Sequence, residues 1–228
     1  MKRLLFCPRA VTDLPAKNVR DVVGLYLLAA LLITDRCSWA NAREPRRLHH
    51  PEGVQCVAYA PNGLRLAAGG KEGFLTLWDL PTGRACCLSG HTDTVLSAAF
   101  GPDCRLLASA GADGTVRIWD VATARECLVL RGHTQPIWSV AFSPDGKSLA
   151  VAAGAIVRSV RGGAVFLLDK QSGAQRTIRG AHAEPVFAVA FSPDIKSLAS
   201  AGADRIVKEW DLSQVISQEP DSRARPVH

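Results

Sequence analysis

The sequence predicts an all-β protein built from four copies of one small antiparallel sheet, and three observations predict it. His50, His91, His133 and His182 recur at spacings of 41, 42 and 49 residues. Three of them precede Trp78-Asp79, Trp119-Asp120 and Trp210-Asp211 by 28 residues, and His133 precedes Leu168-Asp169 by 35. Between these marks stand Tyr59-Ala60-Pro61-Asn62-Gly63, Phe100-Gly101-Pro102-Asp103, Phe142-Ser143-Pro144-Asp145-Gly146 and Phe191-Ser192-Pro193-Asp194. Landmarks that return at fixed offsets signal a repeat architecture, in which each unit must stack on its neighbours to bury its faces.

The second copy shows how one unit is made. Val95 to Phe100 is a short run of small and apolar residues, the pattern of a strand buried on both sides. Pro102-Asp103 predicts a turn, because proline fixes φ and aspartate hydrogen-bonds its own backbone. Leu106 to Ala110 follows as a second strand. Asp113-Gly114 is a tight hairpin signal, after which Thr115 to Trp119 alternates as a third strand. Arg125 to Leu130 supplies a fourth.

These motifs resemble the WD40 repeat family. Gly90-His91, Gly132-His133 and Gly180-Ala181-His182 are similar to its Gly-His mark, and three copies of four end in Trp-Asp. The resemblance spans about residues 43–215 and implies a WD40-type β-propeller of four blades, each of four antiparallel strands. The blades fall at about 50–89, 90–131, 132–179 and 180–215, with 216–228 as a flexible tail. It also implies a hydrogen-bonded set inside a blade: His91, Ser109, Asp113 and Trp119 in the second, and His182, Ser200, Asp204 and Trp210 in the fourth. The first copy carries Ala68 and Glu72 at the serine and aspartate positions. The third carries Val151 and Leu168 and lacks the hairpin aspartate, so the set is expected to be absent there. The histidines are read as structural, with no metal and no catalytic role.

Propellers carry about four to eight blades, and four blades leave two arrangements open, a small closed ring or an open arc. The last copy has a weak outer strand, Ser213 to Ile216. Arg43 to Leu48 precedes His50 where outer strands precede the later histidines, so it is expected to complete the fourth blade as a clasp. Pro45 suits an outer strand, where a missing N–H is tolerated.

Composition narrows the function classes. The formal net charge is +6, yet residues 1–49 hold nine basic and four acidic side chains, and the remainder is close to neutral. A neutral body lacks the basic face that releases counterions from nucleic acid, so no nucleic-acid partner is expected. Seven cysteines without a CxxC spacing point neither to a disulfide framework nor to a zinc site. Cys56, Cys86, Cys87 and Cys127 fall in expected strands and are read as small buried thiols.

Residues 1–42 read as a separate leader, helical in its apolar part. Val22 to Ile33 follows Lys2, Arg3, Arg9, Lys17 and Arg20 and precedes Ala40-Asn41-Ala42, the outline of an export signal. Asp13 and Asp21 and a long basic region argue against that. A cytoplasmic location is the main expectation, with export or membrane contact through 22–33 as the alternative.

No phosphate loop, HExxH or GxSxG motif is present, and the strands expected to line the channel carry almost no catalytic side chains. A non-catalytic scaffold that binds a protein or peptide is therefore expected, with no cofactor and no small-molecule substrate. The candidate contacts are Gln55, Leu96, Trp138 and Phe187, one equivalent position in each innermost strand. Arg158 and Arg161, in the longer hairpin between Ala152 and Gly163, join them on the face of the His-bearing loops. The rival expectation is a partial propeller that self-associates or joins a larger split ring. A more remote one is an enzyme with an unrecognised site.

Overall fold

The computed structural model describes residues 46–131, 133–154, 162–170 and 174–216. The leader, the Arg158/Arg161 segment and the C-terminal tail lie outside the described residues. Residues 48–216 belong to one compact unit.

Four antiparallel sheets follow one another as the blades of a β-propeller. Blade one contains β1 (Val54–Tyr59), β2 (Arg65–Gly70), β3 (Leu75–Asp79) and β4 (Ala85–Leu88). Blade two contains β5 (Val95–Phe100), β6 (Leu106–Gly111), β7 (Val116–Asp120) and β8 (Arg125–Leu130). Blade three contains β9 (Ile137–Phe142), β10 (Ser148–Ala153), β11 (Gly163–Asp169) and β12 (Gln175–His182). Blade four contains β13 (Val186–Phe191), β14 (Ser197–Gly202) and β15 (Val207–Asp211).

The fourth blade differs from the expectation at its outer edge. Ser213 to Ile216 forms no strand; Leu212–Ile216 is a short helix, α1. Leu212 and Val215 are buried in the core shared by blades three and four. A helix seats both on one side, where strand alternation would have turned neighbouring side chains outward. Arg46 to His50 likewise lies outside any strand, and residues 43–45 fall outside the described residues. Among the described residues the fourth sheet has three strands.

The turns follow one local rule. Asn62, Asp103, Asp145 and Asp194 each accept a hydrogen bond from the backbone N–H two residues on, Leu64, Arg105, Lys147 and Lys196. The residue between adopts a left-handed conformation: Gly63 (φ 68), Cys104 (φ 60), Gly146 (φ 69) and Ile195 (φ 62). Glycine meets that demand freely; isoleucine, branched at Cβ, does so under strain.

Successive blades pack through their innermost strands, β1 on β5, β5 on β9 and β9 on β13. Three apolar cores fill the three junctions. Single hydrogen bonds fix their register: Val140 N–H donates to Ser97 Oγ (3.2 Å) and Val189 N–H to Ser139 Oγ (3.3 Å). Arg65 Nη1 donates to the carbonyl of Val121 at 3.1 Å, tying blade one to blade two. No packing of that extent joins β13 back to β1 among the described residues.

Candidate functional site

The candidate contact positions share one backbone device. In each blade the pairing of the innermost strand slips by one residue near its start, between Val54 and Cys56, Val95 and Ser97, Ile137 and Ser139, and Val186 and Ala188. The skipped residue is Gln55, Leu96, Trp138 or Phe187. A bulge of this kind re-aims one side chain out of the regular alternation. All four side chains are half-buried.

Two of them meet. The rings of Trp138 and Phe187 pack edge to face across blades three and four, with centroids 5.2 Å apart and planes at 85°. That arrangement places the positive edge of one ring on the negative face of the other. Trp138 Nε1 donates to the carbonyl of Gly154 at 2.8 Å, which ties the indole to the start of the β10–β11 connection. Leu96 and Gln55 lie on the preceding blades, and Arg158 and Arg161 are outside the described residues.

Blade two also holds a polar relay. His91 Nδ1 is 2.9 Å from Asp113 Oδ2, and Nε2 is 2.8 Å from Ser109 Oγ. Trp119 Nε1 donates to the same Oγ at 2.8 Å. A carboxylate only accepts, so Nδ1 carries the proton, Ser109 O–H donates to Nε2, and its oxygen receives the indole. Thr92 N–H (3.0 Å), Thr115 N–H (2.9 Å) and Thr115 O–H (2.8 Å) donate to the Asp113 carboxylate. Burial opposes charge on Asp113, but the hydrogen bonds from His91 and from the backbone of Thr92 and Thr115 outweigh it. They hold its carboxyl well below the usual range.

Blade four repeats the relay. His182 Nδ1 is 2.8 Å from Asp204 Oδ2, Nε2 is 2.8 Å from Ser200 Oγ, and Trp210 Nε1 donates to that Oγ at 2.8 Å. The second set joins His182, at the end of β12, to Asp204 and Ser200 of blade four, so it also ties the two blades together.

Blades one and three are built otherwise. His50 Nδ1 donates to the carbonyl of Glu52 at 2.8 Å, while Nε2 is buried without a partner among the described residues. Ala68 stands where Ser109 would serve it. In blade three Val151 and Leu168 are buried in an apolar core, and His133 packs on Phe166 with centroids 4.5 Å apart. Burial there disfavours the charged ring and lowers the His133 pKa. Leu168, shorter than the tryptophan of the other blades, lines an apolar pocket with Ile118, Phe142 and Leu149.

The reading of the cysteines needs correction. Cys86, Cys87 and Cys127 lie in strands but are exposed, because β4 and β8 are outer strands whose first residues are open to water on both faces. Cys56 alone of the four is covered, and burial pushes its thiol up to about 11. Among the described residues no three His, Cys, Asp or Glu side chains cluster as a metal site, and no helix is long and apolar enough to cross a membrane. The sequence reading also missed an exposed apolar set at the two ends of the blade series, Val54, Val57, Tyr59, Leu64, Ile206 and Val207. The signal was available in the repeat itself, as tyrosine in place of the recurrent phenylalanine and Glu209 in place of an aliphatic residue.

The family model described as "WD domain, G-beta repeat" matches four times, at residues 43–79, 84–120, 125–158 and 173–211. The chain belongs to the WD40 repeat family. The third match stops at 158, inside the extended hairpin, and resumes beyond Leu168, the copy that has lost its tryptophan. No curated protein matches the chain. WD40 propellers generally act as protein-interaction scaffolds, and they are generally non-catalytic.

Proposed function

We propose that this WD40 propeller is a non-catalytic scaffold that grips a protein or peptide at the rim formed by Gln55, Leu96, Trp138 and Phe187. Arg158 and Arg161 contribute from the adjoining hairpin. The observation that carries this reading is the edge-to-face pair of Trp138 and Phe187 on two neighbouring bulges, half-buried and held by the Gly154 carbonyl. Rigid, partly open aromatic rings have the composition of an interaction hot spot. The innermost strands contain no acidic, basic or histidine side chain, in keeping with a binding role.

Three exposed, unpaired thiols, Cys86, Cys87 and Cys127, suit a reducing compartment, so the cytoplasm is the proposed location. Photo-crosslinking from Leu96 in cells, read by mass spectrometry, tests the rim. Partner adducts are expected with the wild type and should fall at least tenfold in Trp138→Ala/Phe187→Ala. They should persist in the rim-distant control Lys170→Ala. Adducts unchanged by the double substitution would sink the proposal.

A further inference from the structure

The repeat supplies a test of what should cover each face of a blade. Leu75, Val116 and Val165 hold the same register position on the third strand of blades one, two and three, opposite Gly69, Ala110 and Ala152. Each is 0% exposed, sealed by the blade that follows. Val207, opposite Ala201, is their counterpart in blade four and is 74% exposed. The reverse face behaves alike. Phe100 is 8% exposed, whereas its blade-one counterpart Tyr59 is 64% exposed. Val140 and Val189 are 5% and 8% exposed, against 43% for Val57. The forward face of blade four and the rear face of blade one are thus two halves of a junction that, among the described residues, is made three times and left unmade once.

The residues peculiar to these two faces are complementary. Ile118 and Phe142 share one apolar pocket where blade two meets blade three. Their counterparts at the open ends are Glu209 and Tyr59, an acceptor and a phenol donor. At the hairpin tip, a Cβ on Gly114 would lie 2.4 Å from the carbonyl of His133 in the next blade. Blade four has Arg205 there, so a following loop must stand off by a side chain's width. The loop that would follow is His50 to Gly53, which presents the exposed carboxylate of Glu52. An aliphatic patch, a Tyr–Glu pair and an Arg–Glu pair coincide on the two faces.

We propose that the occupant of each end face is a second copy of this chain, blade one of each copy seating on blade four of the other. Two arcs of four blades close into eight, within the range propellers adopt. The contact is head to tail, so two identical junctions form around a two-fold axis. Tyr59 O–H donates to the Glu209 carboxylate of the other copy, and Arg205 pairs with its Glu52.

Sedimentation velocity on the full chain tests this. The wild type is expected at twice the 24.4 kDa chain mass at micromolar concentration. Tyr59→Arg and Val207→Arg should each sediment as a monomer with an unchanged far-UV dichroism spectrum, since both side chains are exposed in the single chain. An equimolar mixture of the two should recover a two-chain species, because one junction then joins two unaltered faces. Tyr59→Phe, which keeps the ring, should weaken each junction about tenfold, the worth of a hydrogen bond to a charged group. A monomeric wild type at 100 μM, or growth into longer chains, would overturn the proposal. So would a dimer untouched by both arginine variants, or a mixture that stays monomeric.

Discussion

Trp119 Nε1 donates to Ser109 Oγ at 2.8 Å in the interior of blade two, and the same hydroxyl meets His91 Nε2. One small side chain thus satisfies two large rings. Ser109→Ala would strand the indole N–H and the imidazole nitrogen together. Each buried group left unpaired costs about 1–3 kcal/mol, so a loss of roughly 2–4 kcal/mol is expected in urea unfolding. Ser200→Ala should cost less, because Trp210 is half-buried where Trp119 is buried. Equal losses, or no loss at Ser109, would contradict the relay.

Blade one offers the reverse experiment. His50 Nε2 is buried without a partner among the described residues, and Ala68 pairs with Val57 in the ladder as Ser109 pairs with Ala98. Ala68→Ser adds one oxygen in a site already shaped for it. A gain of about 1 kcal/mol is expected, raising Tm by roughly 2–4 °C for a domain of this size. A fall in Tm would mean that the blade has closed around alanine.

Why these features were or were not legible follows from their range. The strands and turns of all four copies were readable because each depends on residues a few positions apart: proline and aspartate in the turn, alternation in the strand. The relay residues were legible only through the resemblance to the WD40 family, which implied them at positions matching its motif. Three features were not legible. Ser213 to Ile216 has a strand-like composition, yet Leu212 and Val215 gain more from lying together against β12 and β15, a tertiary preference no local pattern carries. Trp138 and Phe187 lie about fifty positions apart; that they touch depends on the stacking angle of two blades. Exposure at Cys86, Cys87 and Cys127 likewise depends on what covers an outer strand.

Ile195 carries a prediction about backbone strain. Its φ of 62° occupies the left-handed position that Gly63 and Gly146 fill in blades one and three. A β-branched side chain there costs about 1–2 kcal/mol. Ile195→Gly should therefore raise stability despite the freedom it adds to the unfolded chain, with a net gain of roughly 0.5–1 kcal/mol. Gly146→Ile, the reverse change in blade three, should lower it. Matching losses from both would show that the Ile195 side chain contributes packing that outweighs the strain.

Acid should unfold the protein through Asp113. Its carboxyl titrates below the ordinary value in the folded chain because His91 and the backbone of Thr92 and Thr115 outweigh the cost of burying it. A depressed folded pKa gives stability that is complete above the unfolded value, about 3.9, and is lost as pH falls toward the folded one. Tm measured from pH 7 to pH 2.5 should be flat with respect to this group down to about pH 4 and fall below it. Asp113→Asn should be less stable at pH 7 and lose less on acidification. Parallel curves for the two proteins would remove Asp113 as the source.

The thiols give a chemical readout of the same packing. Cys56 is pushed up to about 11 by burial, and its Sγ lies 3.8 Å from the carbonyl of Val95 across the first blade junction. The thiolate is the reactive species, so at pH 8 Cys56 should alkylate far more slowly than an ordinary cysteine. Cys86, Cys87 and Cys127 are exposed and should label within minutes of adding iodoacetamide. Peptide mapping by mass spectrometry separates the four. Cys56 should label only at the rate at which blade one parts from blade two, and a destabilising change at that junction, such as Leu107→Ala, should speed its labelling while leaving Cys127 unaffected. Rapid labelling of Cys56 in the intact protein would show that the first junction opens readily.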